Sequence, residues 1–269
     1  MTTPEIKTFK KGGSRFYVHP DKQFGSVPGV TSVLNMIPKD FLKWWAAKMS
    51  AEFAVDNASS WIGMAMNGNR QAAIDVIKRA HLRNTDEAAQ FGTDAHDVWE
   101  RMARGEKLGR QHPGMEPFVR GFSEWLEMYE PEFLHLEATV WSETYGYAGS
   151  FDGAARIDGD RLGQEEDAIV ILDWKTTRSG VHAEVGLQLN AYANADYIIH
   201  PDGSKEDLPE FNAAAVFHGR PEGWQFVPVR LGDDIFDIFK ALLLAMPWEK
   251  EIKPTILAAP IAKGVFGDE

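Results

Sequence analysis

The sequence predicts an α/β chain in which helices come first and a compact sheet follows, with the N-terminal helical part packed over that sheet. Three observations predict it. Apolar residues recur at helical spacing between Asp40 and Tyr129. From Leu136 the pattern changes to alternation and to short continuous apolar runs, the two signatures of strands. A helical stretch then separates this strand group from two further strands, as a crossover connection does.

Residues 1 to about 37 read as a β-rich entry, with Arg15 to Val18 as a strand, Pro28-Gly29 as a turn, and Thr31 or Ser32 capping a short helical turn. From Asp40, the spacing of Phe41, Trp44, Trp45 and Ala47 to Met49 predicts a helix, and a second runs over about Arg70 to His81. Thr85-Asp86-Glu87 opens a third, because acidic side chains suit the positive end of the helix dipole. It passes through Phe91 and His96 to about Ala103, with Gly105 as its stop. A fourth helix spans about Met115 to Tyr129 and ends before Pro131. Leu136 to Glu143 alternates as a strand, Tyr147 to Ile157 reads as a second, and Ala168 to Trp174 is apolar enough for a buried third; together they predict an antiparallel meander. There follow a helix from about Ala183 to Ile199, strands near Phe211 to His218 and Trp224 to Val229 joined through Pro221 and Gly223, a helix over Asp233 to Ala245, and an irregular tail after Pro254. The predicted division is an entry and helical elaboration at 1–84, a core at 85–250 and a tail at 251–269.

Composition narrows the function. The 269 residues carry 28 Lys+Arg against 40 Asp+Glu, a formal charge of −12, which argues against a protein that coats nucleic acid with bulk positive charge. A local basic groove is still allowed. Cysteine is absent, which removes disulfides, thiolate zinc sites, cysteine-ligated iron–sulfur clusters and cysteine nucleophiles; a metal here is held by oxygen or imidazole. Met1-Thr2-Thr3-Pro4-Glu5 does not open a signal peptide, and apolar clusters such as Ala241 to Met246 are far shorter than the ~20 residues of a membrane span. The expectation is a cytoplasmic protein with no membrane association.

The chemistry concentrates in four short segments. In Ile171-Leu172-Asp173-Trp174-Lys175, strand alternation puts Asp173 and Lys175 on one face. The pair reads as a strand-end ion pair, or as a cation ligand beside a lysine that orients water and offsets phosphate charge. Asp152, in Gly149-Ser150-Phe151-Asp152-Gly153, caps a turn, or lies next to Asp173 across a hairpin whose long loop is Gly159 to Asp167. Gln188 and Tyr192, four apart, share a helix face, as ordinary amphipathicity or as polar groups aimed at a site. His96, after Gly92-Thr93-Asp94-Ala95 and four residues before Glu100, is a surface or core histidine, or an imidazole ligand.

Together, and in this order, these segments resemble the PD-(D/E)XK nuclease superfamily, in particular RecB-type nuclease domains, CRISPR-associated RecB-like exonucleases and phage-encoded relatives. Val30 to Leu34 and Phe41 to Ala46 are similar to the N-terminal region of the phage members. The resemblance implies a restriction-endonuclease-like core, a mixed central β-sheet flanked by helices, over residues 85–250. It also implies a metal-dependent DNA exonuclease acting at single- or double-stranded ends in phage recombination or replication, working in the host cytoplasm, with a recombinase or annealing protein as a partner. In this reading Mg²⁺ or Mn²⁺ is held by His96, Asp152, Asp173 and the Trp174 carbonyl, with no iron–sulfur cluster. Lys175 is catalytic together with Asp152 and Asp173, and Gln188 and Tyr192 line the DNA side. Glu143 and Glu100 are candidate supporting carboxylates. Arg178, Arg101 and Arg104, with Lys107 and Arg110, are candidate phosphate contacts or a solvated helix end. Trp99 and Trp174 stack bases or pack the core. The rival functions are a structure- or nick-directed endonuclease and a catalytically silent DNA-binding module on the same scaffold.

Overall fold

The computed structural model describes residues 6–262, other than the side chains of residues 41 and 83–87. A small antiparallel sheet comes first: β1 (Thr8–Lys11), β2 (Ser14–Val18) and β3 (Ser26–Pro28). Helix α1 (Val30–Leu34) follows at once. Its N-cap is Gly29, not Thr31 or Ser32; the Ser32 hydroxyl is turned to the Arg15 backbone, accepting its N–H at 2.7 Å and donating to its carbonyl at 3.2 Å. The helical arm holds α2 (Asp40–Asp56), α3 (Ala58–Met66), α4 (Arg70–Lys78) and α5 (Ala80–Ala103). Helix α3 was not expected, since Ala-Ser-Ser-Trp-Ile-Gly-Met-Ala-Met has too little polarity to show a period, and none of it is buried. Helix α5 begins before Thr85, so Thr85-Asp86-Glu87 lies within it and the expected boundary at 84/85 falls inside one continuous helix. Gly105, left-handed at φ +69°, follows its end as expected.

After α6 (Glu116–Tyr129) comes the main sheet: β4 (Glu132–Ser142), β5 (Tyr147–Ile157), the short α7 (Gly159–Leu162), β6 (Ala168–Lys175), α8 (Glu184–Ala193), β7 (Tyr197–Ile199), β8 (Lys205–Glu206), β9 (Ala213–Arg220), β10 (Gly223–Val229) and α9 (Asp233–Ala245). A π-helical turn over Trp248–Ile252 and α10 (Lys253–Ile256) follow, so helix runs only two residues past Pro254 before the irregular tail expected there; residues 263–269 lie outside the described residues. The helix expected over 183–199 stops at Ala193, and Tyr197–Ile199 instead pairs antiparallel with β4. Its apolar Tyr-Ile-Ile run is buried and β-prone, and tertiary pairing overrides helical continuity.

The seven strands lie in the order β10-β9-β6-β5-β4-β7-β8, antiparallel throughout except for β6 with β9, which makes the sheet mixed. Helices α5 and α6 cover one face over Trp99, Phe122, Trp125, Trp174 and Phe217. Helices α1, α8 and α9 cover the other over Val30, Phe151, Ile171, Leu189 and Phe239. β6 is central and covered on both sides, which is why it reads as a continuous apolar run. Among the described residues no helix is long and apolar enough to cross a membrane.

Candidate active site

The β5–β6 hairpin pairs Gly153 with Leu172, so Asp152 stands beside the end of β6, where its Oδ2 accepts the backbone N–H of Trp174. Asp173 is 2 % exposed. Its Oδ2 is ion-paired with the Lys175 ammonium, and its Oδ1 accepts a hydrogen bond from Gln188 Nε2 at 2.8 Å. Gln188 therefore meets the acidic centre directly. Tyr192, one turn further along α8, is 2 % exposed and is among the residues lining the cavity that also takes in His96 and Asp152. It packs where β5 passes closest: a Cβ on Gly149 would come within 2.4 Å of the Tyr192 ring and 3.1 Å of Val30. The two glycine- and tyrosine-bearing segments are thus two sides of one contact. Gly149→Ala should overpack it and cost about 1–3 kcal/mol in denaturant unfolding.

From the opposite layer, α5 delivers His96, whose Nδ1 lies 3.4 Å from Asp152 Oδ1. Gly92, one turn earlier, lets the strand end approach, since a Cβ there would sit 3.3 Å from Thr176 Oγ1. β4 supplies a residue that sequence reasoning missed. Glu137 faces Asp152 across the β4–β5 ladder and has a left-handed backbone at φ +51°, an unfavourable conformation for a side chain with a Cβ. Ligand atoms of His96, Glu137 and Asp152 all lie within 4.8 Å of one another. Counting back in register from the Ser142–Tyr147 pair would have singled out Glu137.

Glu143 lies elsewhere. It is the first residue past the end of β4, and with ~3.3 Å per residue along the strand from Glu137 it lies about 20 Å from the cluster; its carboxylate accepts hydrogen bonds from Tyr197 and Lys205. Glu100 borders the same cavity as His96, but its Oε1 is held by Arg104 at 2.8 Å. Arg101 faces Glu106 at 3.6 Å and donates to the Lys107 carbonyl. Both arginines thus close the last turn of α5, about 8 to 12 Å along the axis from His96. Lys107, Arg110 and Arg178 are exposed. Trp99 and Trp174 are fully buried among Phe122 and Phe217, so they pack the core and present no face to a base.

A cavity of about 420 Å³ opens over His96, Glu137 and Asp152. Its far wall is the N-terminal sheet and α1, through Arg15, Tyr17 and Thr31. Arg15 was also missed: it lies in a stretch read only as a strand. Its guanidinium has no ion-pair partner among the described residues, although Asp97, Glu100, Glu137 and Asp152 line the same cavity. Tyr17 anchors that wall by sharing a hydrogen bond with Ser150, which also bonds Thr139 at 2.9 Å.

The electrostatics separate the two aspartates. Burial pushes Asp173 up to about 6, outweighing the nearby ammonium of Lys175. Burial also works against the ionised form of Asp152, but His96, Lys175 and the Trp174 amide outweigh it and hold that carboxyl below its ordinary range. Burial would lower His96, yet the Asp152 carboxylate wins and raises it. Lys175 is likewise raised, with both aspartates overcoming its desolvation. Carboxylates pushed apart in one cleft are the electrostatic mark of a functional site.

The donor set fits a hard divalent cation: one imidazole, carboxylate oxygens, and a buried Asp173 Oδ2 that among the described residues has no hydrogen-bond donor beyond its lysine ion pair. Residues 69–197 match the family model for the PD-(D/E)XK nuclease superfamily. The matched span includes the His96, Glu137, Asp152, Asp173, Lys175, Gln188 and Tyr192 positions and excludes the N-terminal sheet and β9. The mixed sheet flanked by helices is the restriction-endonuclease-like arrangement of that superfamily. No curated protein matches the chain.

Proposed function

We propose that this chain is a PD-(D/E)XK deoxyribonuclease that hydrolyses phosphodiester bonds at DNA ends and depends on Mg²⁺ or Mn²⁺. The observation that carries the reading is the convergence of His96, Glu137 and Asp152 beside the buried Asp173–Lys175 pair. His96, Glu137 and Asp152 would hold the cation, with Asp173 next to them and the Trp174 carbonyl as a further oxygen. When bound, it would lower the pKa of a water and offset charge on the scissile phosphate. Lys175, kept protonated by its aspartates, orients the attacking oxygen and stabilises the phosphorane charge. The water oxygen gives up a proton to solvent as it bonds to phosphorus, the bond to the leaving oxygen breaks, and that oxygen takes up a proton from solvent in turn. Gln188 fixes the Asp173 carboxylate during these changes. Arg15 is a phosphate contact, being a cation in an acidic cavity without an ion-pair partner among the described residues, and Arg178 is a second on the exposed turn.

Action at ends is supported by the wall that β2 and α1 set across the cavity, which favours a chain terminus over a continuous duplex. The remaining terms of the reading rest on the resemblance to phage-encoded relatives: a role in recombination or replication in the host cytoplasm, beside a recombinase or annealing protein. Linear DNA labelled at its 5′ or 3′ end and a covalently closed circle, each incubated with Mn²⁺ or Mg²⁺, test the activity. Linear DNA should be shortened from an end and the circle left intact. Cutting of the circle would replace this reading with an endonuclease, and binding without any cleavage would leave the silent module.

A further inference from the structure

β9 lies outside the span matched to the nuclease family, yet it runs parallel to β6 and sets His218 in register with Lys175. His218 is fully buried. Its Nε2–H donates to the carbonyl of Thr177 at 2.7 Å, two residues beyond Lys175, while its Nδ1 is buried with no hydrogen-bond partner among the described residues. An apolar side chain would suit so dry a position better than an imidazole with one nitrogen unpaired. What the imidazole adds is a donor for that carbonyl. Among the described residues the turn is otherwise tied by local bonds: Thr177 Oγ1 donates to the Gly180 carbonyl at 2.7 Å, Gly180 N–H to the Thr177 carbonyl at 3.3 Å, and Ser179 Oγ shares one with His182 Nε2 at 2.7 Å. At its start, Thr176 rests against the Gly92 position of α5.

We propose that His218 is a positioning residue: by anchoring the Thr177 carbonyl to the sheet, it fixes the 176–180 turn and with it the placement of Lys175 and Arg178 over the cleavage site. The proposal rests on the nuclease reading of the Lys175 site. A misplacement of an ångström at such a group costs about 100-fold in rate. His218→Gln keeps an amide donor near the Nε2 position, whereas His218→Asn is polar but too short to reach Thr177, and His218→Leu removes the donor.

The test combines amide hydrogen exchange over residues 175–180 in the metal-free chain with kcat and KM on end-labelled linear DNA in Mn²⁺. In the Asn and Leu variants exchange should rise in this segment, and kcat should fall about 10- to 100-fold with KM within about twofold; Gln should restore both. Unchanged kcat in a folded Asn or Leu variant overturns the proposal, as does a folded Gln variant that behaves like Leu. If the unaltered chain cleaves nothing, the nuclease reading fails on its own, and exchange then decides whether His218 holds the turn.

Discussion

Lys175→Ala is expected to reduce DNA cleavage by roughly 10³-fold while DNA binding stays within about twofold. The ammonium is ion-paired with Asp173 at the end of β6 and raised in pKa by both aspartates, so it carries its charge throughout the neutral range. In the proposed reaction its contribution is concentrated where negative charge develops, and little of it is spent on holding the substrate. Removing it also leaves a buried carboxyl without its cation, a change that costs about 3–5 kcal/mol when the carboxyl stays ionised. Asp173, already pushed up to about 6, can take a proton and avoid most of that cost. The variant should therefore fold, and its circular dichroism melt in parallel with single-turnover cleavage and filter binding separates lost chemistry from lost structure. Cleavage at the unaltered rate would sink the assignment of Lys175.

The second large effect concerns the cation. Asp152→Asn should weaken Mn²⁺ binding by more than about 100-fold in calorimetry, because Asp152 is the carboxylate shared by His96, the Trp174 amide and the Glu137 side of the cluster. Glu137→Gln should weaken it by about 10- to 100-fold, and Glu143→Gln not at all. The same titration has a predictable pH dependence. His96 is raised and Asp173 is raised to about 6, so both hold protons at mildly acidic pH that a cation must displace. Affinity should therefore fall as pH drops through about 6 and below, and rise above it until His96 is neutral. An affinity equal in Glu137→Gln and the unaltered chain would return the ligand set to His96, Asp152 and Asp173, and an affinity independent of pH would remove His96 and Asp173 from it.

How far the site could be read from the residues depended on whether the information was local. Strand β5 and helix α9 were legible to the residue, since the signals that mark both are carried by consecutive positions. The Asp173–Lys175 pair followed from alternation, and its neighbour Asp152 from one hairpin. Glu137 was not seen because its role depends on the register of β4 against β5, which a strand read by itself does not contain. Glu143, the candidate supporting carboxylate, sits at the turn end of that hairpin, whose partners diverge by two residues for each pair stepped away from the turn, and so it lies far from Asp152. Arg15 was missed for a similar reason: it reaches the cavity only because a separate three-stranded sheet folds back onto β5. Trp99 and Trp174 show the reverse case, in which a residue type suited to bases is consumed by the core.

The packing of Gly149 against Tyr192 and Val30 bears on where this molecule can be cut. The matched family span begins at residue 69, and a protein engineer would take that as the natural start of a minimal nuclease. Starting there would strip Val30 and Tyr17 from the back of β5, uncover the Tyr192 ring and the Ser150 hydroxyl, and remove Arg15 from the mouth of the cavity. The matched part of the sequence and the smallest autonomous unit are therefore different things: the first thirty-odd residues, which lie outside the matched span, wall the cavity over His96, Glu137 and Asp152.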